Sequence, residues 1–276
     1  MPTQAEKAET FRALHAGPAT FVIPNPWDAG TAKILASLGF QALATTSAGL
    51  AFALGRVDGA VTRDEALANA AAICAATHLP VSADLENLYA HAPEVAAATI
   101  PSAAAAGLVG CSIEDATGDP AHPIYPFEVA VERVKAAVAA ARALPFPFTL
   151  TARAENFLHG RRDMADTLAR LKAFDAAGAD VLYAPGLGDL AEIRSVVAAT
   201  QKPVNVLVSS GNAHLTVADL AAAGVRRISV GGALARAALG SLLAAAEEIQ
   251  THGTFSYGTS AMPLGRLNAI LSKDTP

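Results

Sequence analysis

The residues best suited to chemistry stand in two short stretches. Pro80-Val81-Ser82-Ala83-Asp84-Leu85-Glu86-Asn87 is an apolar run that delivers two carboxylates, and Val109-Gly110-Cys111-Ser112-Ile113-Glu114-Asp115 repeats the pattern about one strand-plus-helix unit later. Side chains alternate along a strand, which puts Ser82, Asp84 and Glu86 on one face and Ser112 and Glu114 together on another. If the two strands are neighbours with those faces inward, three carboxylates converge. That is costly unless a cation or protons neutralise them. The expected partner is a hard divalent ion, Mg2+ with Mn2+ as the alternative. Mg2+ takes one or two carboxylates plus waters, so Asp58 can serve by orienting a water.

Arg153 closes the run Phe148-Thr149-Leu150-Thr151-Ala152-Arg153, whose alternation puts Thr151, Arg153 and Glu155 on one face. Its fork matches a substrate carboxylate or phosphonate bidentately, and the competing use is an ion pair with Glu155 or Glu114. The small-residue loop Thr46-Ser47-Ala48-Gly49 offers hydroxyls and N–H groups to a second carboxylate. His122 and Tyr125 fall in a Pro-rich loop, Thr117 to Pro126, that reads as a lid, and they are the candidates for proton transfer. Parity turns Cys111 toward the outer helices, where a buried thiol is inert. His159 and His214 have no better support.

These residues need a scaffold, and the chain supplies one in regular units. Strands are expected at 19–23, 41–46, 80–84, 109–114, 148–153, 180–183, 204–208 and 227–230. Helices are expected at 3–16, 29–38, 63–77, 93–106, 127–142, 163–177, 187–199 and 216–223. Asp28 and Thr62 read as N-caps, the latter with Glu65 in a capping box. Ala105-Ala106-Gly107, Ala176-Ala177-Gly178 and Ala222-Ala223-Gly224 read as helix ends with a left-handed glycine. Eight alternating units with near-continuous apolar strands favour a closed (β/α)8 TIM barrel over an open doubly wound sheet. Residues 1–250 form the barrel in this reading. Residues 251–276, with Phe255, Tyr257 and a helix at 263–271, exceed its needs and are expected to pack on a neighbouring subunit.

Composition removes other classes. The chain of 276 residues is 52% hydrophobic and 16% charged with a formal charge of −5, which suits a large core and subunit contacts. No basic stripe invites nucleic acid. Cys74 and Cys111 lack CxxC spacing, no apolar run reaches ~18 residues, and the first residues lack a signal-peptide pattern, so no membrane partner is expected and the protein reads as cytoplasmic. Neither a G-x-G-x-x-G turn nor a Walker spacing follows the first strand.

Taken together, Thr46-Ser47-Ala48-Gly49-Leu50-Ala51, Leu54-Gly55-Arg56-Val57-Asp58-Gly59, Ala83-Asp84-Leu85-Glu86, Ser112-Ile113-Glu114-Asp115 and Thr151-Ala152-Arg153 resemble the isocitrate lyase/phosphoenolpyruvate mutase superfamily over nearly the whole chain. The resemblance implies a barrel whose last helix is exchanged between subunits of a dimer of dimers. It also implies Mg2+ near Asp58, Asp84, Glu86 and Glu114, with Arg153 helping to stabilise the enolate of a 2-oxo acid. Glu86 is longer than the aspartate common at that motif position. The lid stretch Asp115–Pro126 contains no cysteine, lysine or asparagine, so it departs from both the isocitrate-type lyases and the phosphonate mutases. The expected activity is C–C cleavage of a small 2-oxo or 2-hydroxy carboxylate. The alternatives are a P–C mutase or hydrolase and a non-catalytic carboxylate-binding barrel.

Overall fold

The computed structural model describes residues 2–272. In chain order it runs α1 (Gln4–Ala16), β1 (Phe21–Ile23), α2 (Ala29–Ala36), β2 (Leu43–Ala44), α3 (Ser47–Ala53), α4 (Arg63–Ala75), β3 (Val81–Ala83), α5 (Pro93–Ala97), α6 (Thr99–Ala105), β4 (Gly110–Glu114), α7 (Phe127–Arg142), β5 (Thr149–Arg153), α8 (Met164–Ala176), β6 (Val181–Tyr183), α9 (Leu190–Ala198), β7 (Val204–Leu207), α10 (Val217–Ala222), β8 (Arg227–Ser229), α11 (Ala233–His252) and α12 (Leu264–Leu271). All eight strands are parallel, in the order β1-β8-β7-β6-β5-β4-β3-β2. Ala44 N–H to Pro24 O (3.1 Å) and the Asn25 amide to Thr45 O (3.0 Å) stitch the seam between β1 and β2. The result is a nearly closed (β/α)8 barrel.

Local chemistry sets the element ends. Thr3 and Thr62 close capping boxes with Glu6 and Glu65, and Asp28 caps α2. Gly107, Gly178 and Gly224 all have φ between 87° and 99°, which is the left-handed helix end read from the Ala-Ala-Gly repeats. Four expectations need correction. The single helix at 93–106 is two, because Pro101 has no N–H to reach back to Ala97. The second strand is two residues long. Thr46-Ser47-Ala48-Gly49 is the start of α3, with the Thr46 hydroxyl accepting from Gly49 N–H at 3.2 Å. Glu86 lies beyond β3 in a left-handed conformation (φ 49°), so strand parity does not aim it.

One end of the barrel is sealed by α1. Phe11, His15 and Phe21 stack edge to face there, and a Cβ on Gly110 would meet Thr149 O at 2.5 Å and the Phe11 ring at 3.2 Å. Only glycine lets that plug seat. The 250/251 boundary falls in the last turn of α11, and residues 273–276 of the expected extension lie outside the described residues. α12 packs against α2 of its own chain, with Lys33 Nζ donating to Leu271 O at 2.9 Å, while α11 exposes Leu239, Leu242 and Leu243. No helix among the described residues is long and apolar enough to cross a membrane.

Candidate active site

The carboxyl ends of β3, β4 and β5 meet around one guanidinium. Pairing of β4 with β5 sets Glu114 opposite Arg153, and Asp84 follows directly on β3. Arg153 Nη1 lies 2.8 Å from Asp84 Oδ1, Nη2 3.1 Å from Glu114 Oε2 and Nε 2.7 Å from Glu155 Oε1. The fork expected to face substrate therefore has a carboxylate at each of its three nitrogens. The second oxygen of Asp84 accepts from the Ser47 N–H (3.2 Å) and hydroxyl (2.8 Å), and its backbone N–H donates to Thr45 Oγ1 (3.1 Å). These bonds lock the start of α3 onto the end of β3.

The acids outnumber their cation. Burial, then Asp84 and Asp58, push the Glu86 carboxyl up to about 7. Burial, then Glu155, Asp84 and Glu86, drive Glu114 well above the ordinary carboxylate range despite Arg153. Burial and Asp84 also raise Asp58. Glu86 Oε1 is buried with no hydrogen-bond partner. Among the described residues no three Asp, Glu, His or Cys side chains are grouped as a ready-made metal cage. An oxygen-rich site with one orphaned carboxylate oxygen and surplus negative charge nevertheless fits Mg2+, which takes one or two carboxylates and keeps its waters.

Two cavities open on this cluster. One, of about 380 Å3, is lined by Asp58, Glu86, Glu114, Glu155 and His159. The other, of about 400 Å3, reaches from Thr46, Ser47, Ala48 and Asp84 into the barrel interior at Tyr183 and Arg227. Both share Ser47, Asp58 and Arg153. Thus Asp58, Asp84, Glu86, Glu114, Arg153 and the Thr46–Ala48 turn come together.

His122 and Tyr125 do not join them. His122 is 85% exposed beside Asp119, and the stretch expected to be a lid is folded on itself by an Ala116–Ile124 bridge and a Thr117 N–H to Pro123 O bond. Tyr125 is buried, with its hydroxyl 2.6 Å from His91 Nδ1, and lines neither cavity.

Sequence reasoning missed Arg133. It is 1% exposed, donates to the carbonyls of Asn87, Ala90 and His91, and lies 4.3 Å over the Tyr125 ring. The loop it clamps holds Glu86, Leu88 and Tyr89, the non-glycine residues with positive φ among those described. Its signal was available: Arg133 falls in the inward row Ala130, Val134, Ala137 and Ala141 of α7. Glu155, expected from the sequence as an alternative ion-pair partner of Arg153, is that arginine's most buried partner.

Residues 11–250 match the family profile described as phosphoenolpyruvate phosphomutase. A crystal structure from Burkholderia cenocepacia J2315, provisionally assigned as a lyase/mutase, superposes with a TM-score of 0.96 at 57% identity, covering 99% of this chain and 98% of that one. The oxaloacetate decarboxylase of Marinomonas sp. is 30% identical over 84% of this chain and 80% of its own length. Oxaloacetate acetylhydrolase in complex with the product oxalate superposes with a TM-score of 0.87 at 25% identity, covering 99% and 96% of the two chains. A barrel mouth of carboxylates around one arginine and a profile match over most of the chain agree: the protein belongs to the phosphoenolpyruvate phosphomutase family, within the isocitrate lyase/PEP mutase superfamily of lyases and mutases.

Proposed function

We propose that this protein is a Mg2+-dependent lyase that cleaves a C–C bond of a small 2-oxo or 2-hydroxy carboxylate, one fragment departing as an enolate. The observation that carries this reading is the charge imbalance at the barrel mouth. Among the described residues Arg153 is the one cation paired with Asp84, Glu114 and Glu155, while Glu86 keeps a buried, unpartnered oxygen. Asp84, Glu86 and Glu114 would hold Mg2+ or Mn2+, with Asp58 turned toward its waters. When bound, the ion supplies a Lewis acid where enolate charge develops.

The chain's own residues do the rest. Ser47 fixes Asp84 through two hydrogen bonds. Thr46, Ser47 and Ala48 line the cavity at the start of α3, where the Ser47 and Gly49 N–H groups are committed to Asp84 and Thr46 and the Ala48 N–H would meet a substrate carboxylate. Arg153 balances the acids and keeps two of its five N–H donors for the reacting anion. Relatives named for oxaloacetate support the substrate class, since oxaloacetate is a 2-oxo acid.

Calorimetry with oxalate, a mimic of the enolate, tests the site. Tight binding only with Mg2+, abolished in Asp84→Ala, is expected, and unchanged affinity in that variant would overturn the metal assignment. Phosphonopyruvate turnover followed by phosphorus NMR would instead assign P–C chemistry. Absence of metal-dependent turnover on any 2-oxo acid would leave a carboxylate-binding barrel.

We also propose that a second copy covers α11, by exchange of this C-terminal segment within a dimer of dimers. The exposed Leu239, Leu242 and Leu243 support it. Light scattering that gave a monomer at micromolar concentration would reject it.

A further inference from the structure

Among the described residues two buried arginines, Arg133 and Arg227, form no ion pair, and only Arg227 lines a cavity at the barrel mouth. Arg133 donates to three carbonyls through its terminal nitrogens and lies over an aromatic face, its Nε is buried without a partner, and it lines neither cavity at the barrel mouth. Arg227, at the start of β8, is 6% exposed yet lines the cavity that reaches the site. Its Nε donates to Asn205 Oδ1 at 2.8 Å, its Nη2 to Thr151 Oγ1 at 3.0 Å, and its Nη1 faces His15 Nε2 at 3.3 Å. All three partners are neutral, because burial and Arg227 itself hold the His15 imidazole far below its ordinary range, at about 3. Among the described residues no carboxylate lies within ion-pair distance of Arg227.

Register explains how the charge reaches this depth. The row of strand partners Glu114, Arg153, Tyr183, Asn205, Arg227 and Phe21 follows the stagger of the barrel from the acidic mouth to the plug made by α1. A guanidinium carries five N–H donors, of which three are committed here, leaving two. A buried charge without a counter-ion is costly, and this one opens onto space able to admit an anion.

We propose that Arg227 forms a small-anion site on the floor of the barrel cavity, one that takes a single carboxylate-sized anionic group. The group is either a free monovalent anion or the second carboxylate of a dicarboxylic substrate held at the mouth. Only the latter source rests on the lyase reading above.

Bromide and dicarboxylates, probed in the presence of Mg2+, test the site. An anomalous bromide peak within hydrogen-bond distance of the Arg227 guanidinium is expected in soaked crystals of the wild-type protein. In solution, Arg227→Gln should weaken bromide binding, read as bromide-dependent thermal stabilisation against a bulky sulfonate at equal ionic strength, at least tenfold, while oxalate affinity stays within twofold. Loss of the bromide peak on adding oxaloacetate or malonate assigns the site to a substrate arm. Retention of the peak assigns it to a free anion. Absence of both bromide and carboxylate density at Arg227 in the wild-type crystal overturns the proposal without need of a variant, as does an equal loss of bromide and oxalate binding in Arg227→Gln. Bromide at Arg227 in a protein that binds no oxalate would instead sink the lyase reading and leave this site standing.

Discussion

From β3 to β5 the barrel mouth gathers Asp84, Glu114 and Glu155 around Arg153, whereas from β6 to β8 the wall of the deeper cavity presents Tyr183, Asn205 and Arg227 and, among the described residues, no carboxylate. Each wall alone is electrostatically incomplete. On the acid wall, burial raises Glu86 and Glu114 because protons are the only neutralising species left once Arg153 is shared. On the other wall, burial, with Arg153 adding repulsion, brings Arg227 down to about 10. The cavity beside Glu86 and Glu114 and the cavity that reaches Arg227 adjoin at Ser47, Asp58 and Arg153, so a dication in one and an anionic group in the other complement the pair. Polarity between these adjoining cavities, more than the chemistry of any single residue, is what the barrel sets up.

Removing Arg153 should have the largest effect. Arg153→Met leaves Asp84, Glu114 and Glu155 without their cation, and loss of one partner from a buried ionic cluster costs about 3–5 kcal/mol. Urea unfolding at pH 8 would measure it. A loss under ~1 kcal/mol would mean that the acids are already neutral and that the contrast between walls is weaker than drawn. The milder Arg153→Lys should lower kcat/KM by a factor equivalent to about 2–3 kcal/mol, because a planar fork becomes a point charge.

Arg133→Met comes next, at about 2–3 kcal/mol, since it strands buried carbonyls in the loop that presents Glu86. Oxalate binding with Mg2+ should weaken alongside stability. Intact oxalate affinity in a destabilised variant would show that Glu86 does not need this loop to be fixed.

The acid-free wall makes a prediction in pH. His15 has its folded pKa depressed to about 3, against about 6.5 when unfolded, so between those values the unfolded chain binds the extra proton. Its contribution is therefore fully present above about pH 6.5 and is lost as pH falls toward 3, which amounts to about 2 kcal/mol by pH 5. His15→Gln, which keeps an acceptor for Arg227 but cannot titrate, should flatten that limb of the stability curve. Identical slopes for both proteins between pH 7.5 and 5 would place the neutral imidazole in doubt and weaken the case for an uncompensated Arg227.

The acid wall was largely legible in the sequence and the other wall was not. Asp84, Glu114 and Arg153 announce themselves because charged residues end otherwise apolar strands, where alternation and the barrel's carboxyl end fix their direction. Glu86 was found for a reason that does not hold, since a left-handed loop and Arg133 aim it rather than strand parity. Arg227 was hidden because it begins its strand, and only the stagger of eight strands reveals that it points into the interior. His122 and Tyr125 drew notice by residue type. Their loop's bonding to itself and the His91 contact with Tyr125 are tertiary facts with no local sequence signal.

The smallest effect supplies the control for the rest. Thr62 caps α4 and bonds Glu65, which also pairs with Arg56 at 2.8 Å, so this corner holds the loop that carries Asp58. Thr62→Ala should cost about 1 kcal/mol, the usual worth of an N-cap. Because Asp58 is assigned to waters and not to direct support of the ion, oxalate affinity with Mg2+ should change less than threefold. A drop comparable to that of Arg133→Met would mean that any loosening near the mouth degrades binding. The clamp on Glu86 would then have no special standing, and the distinction between the walls would reduce to one of general rigidity.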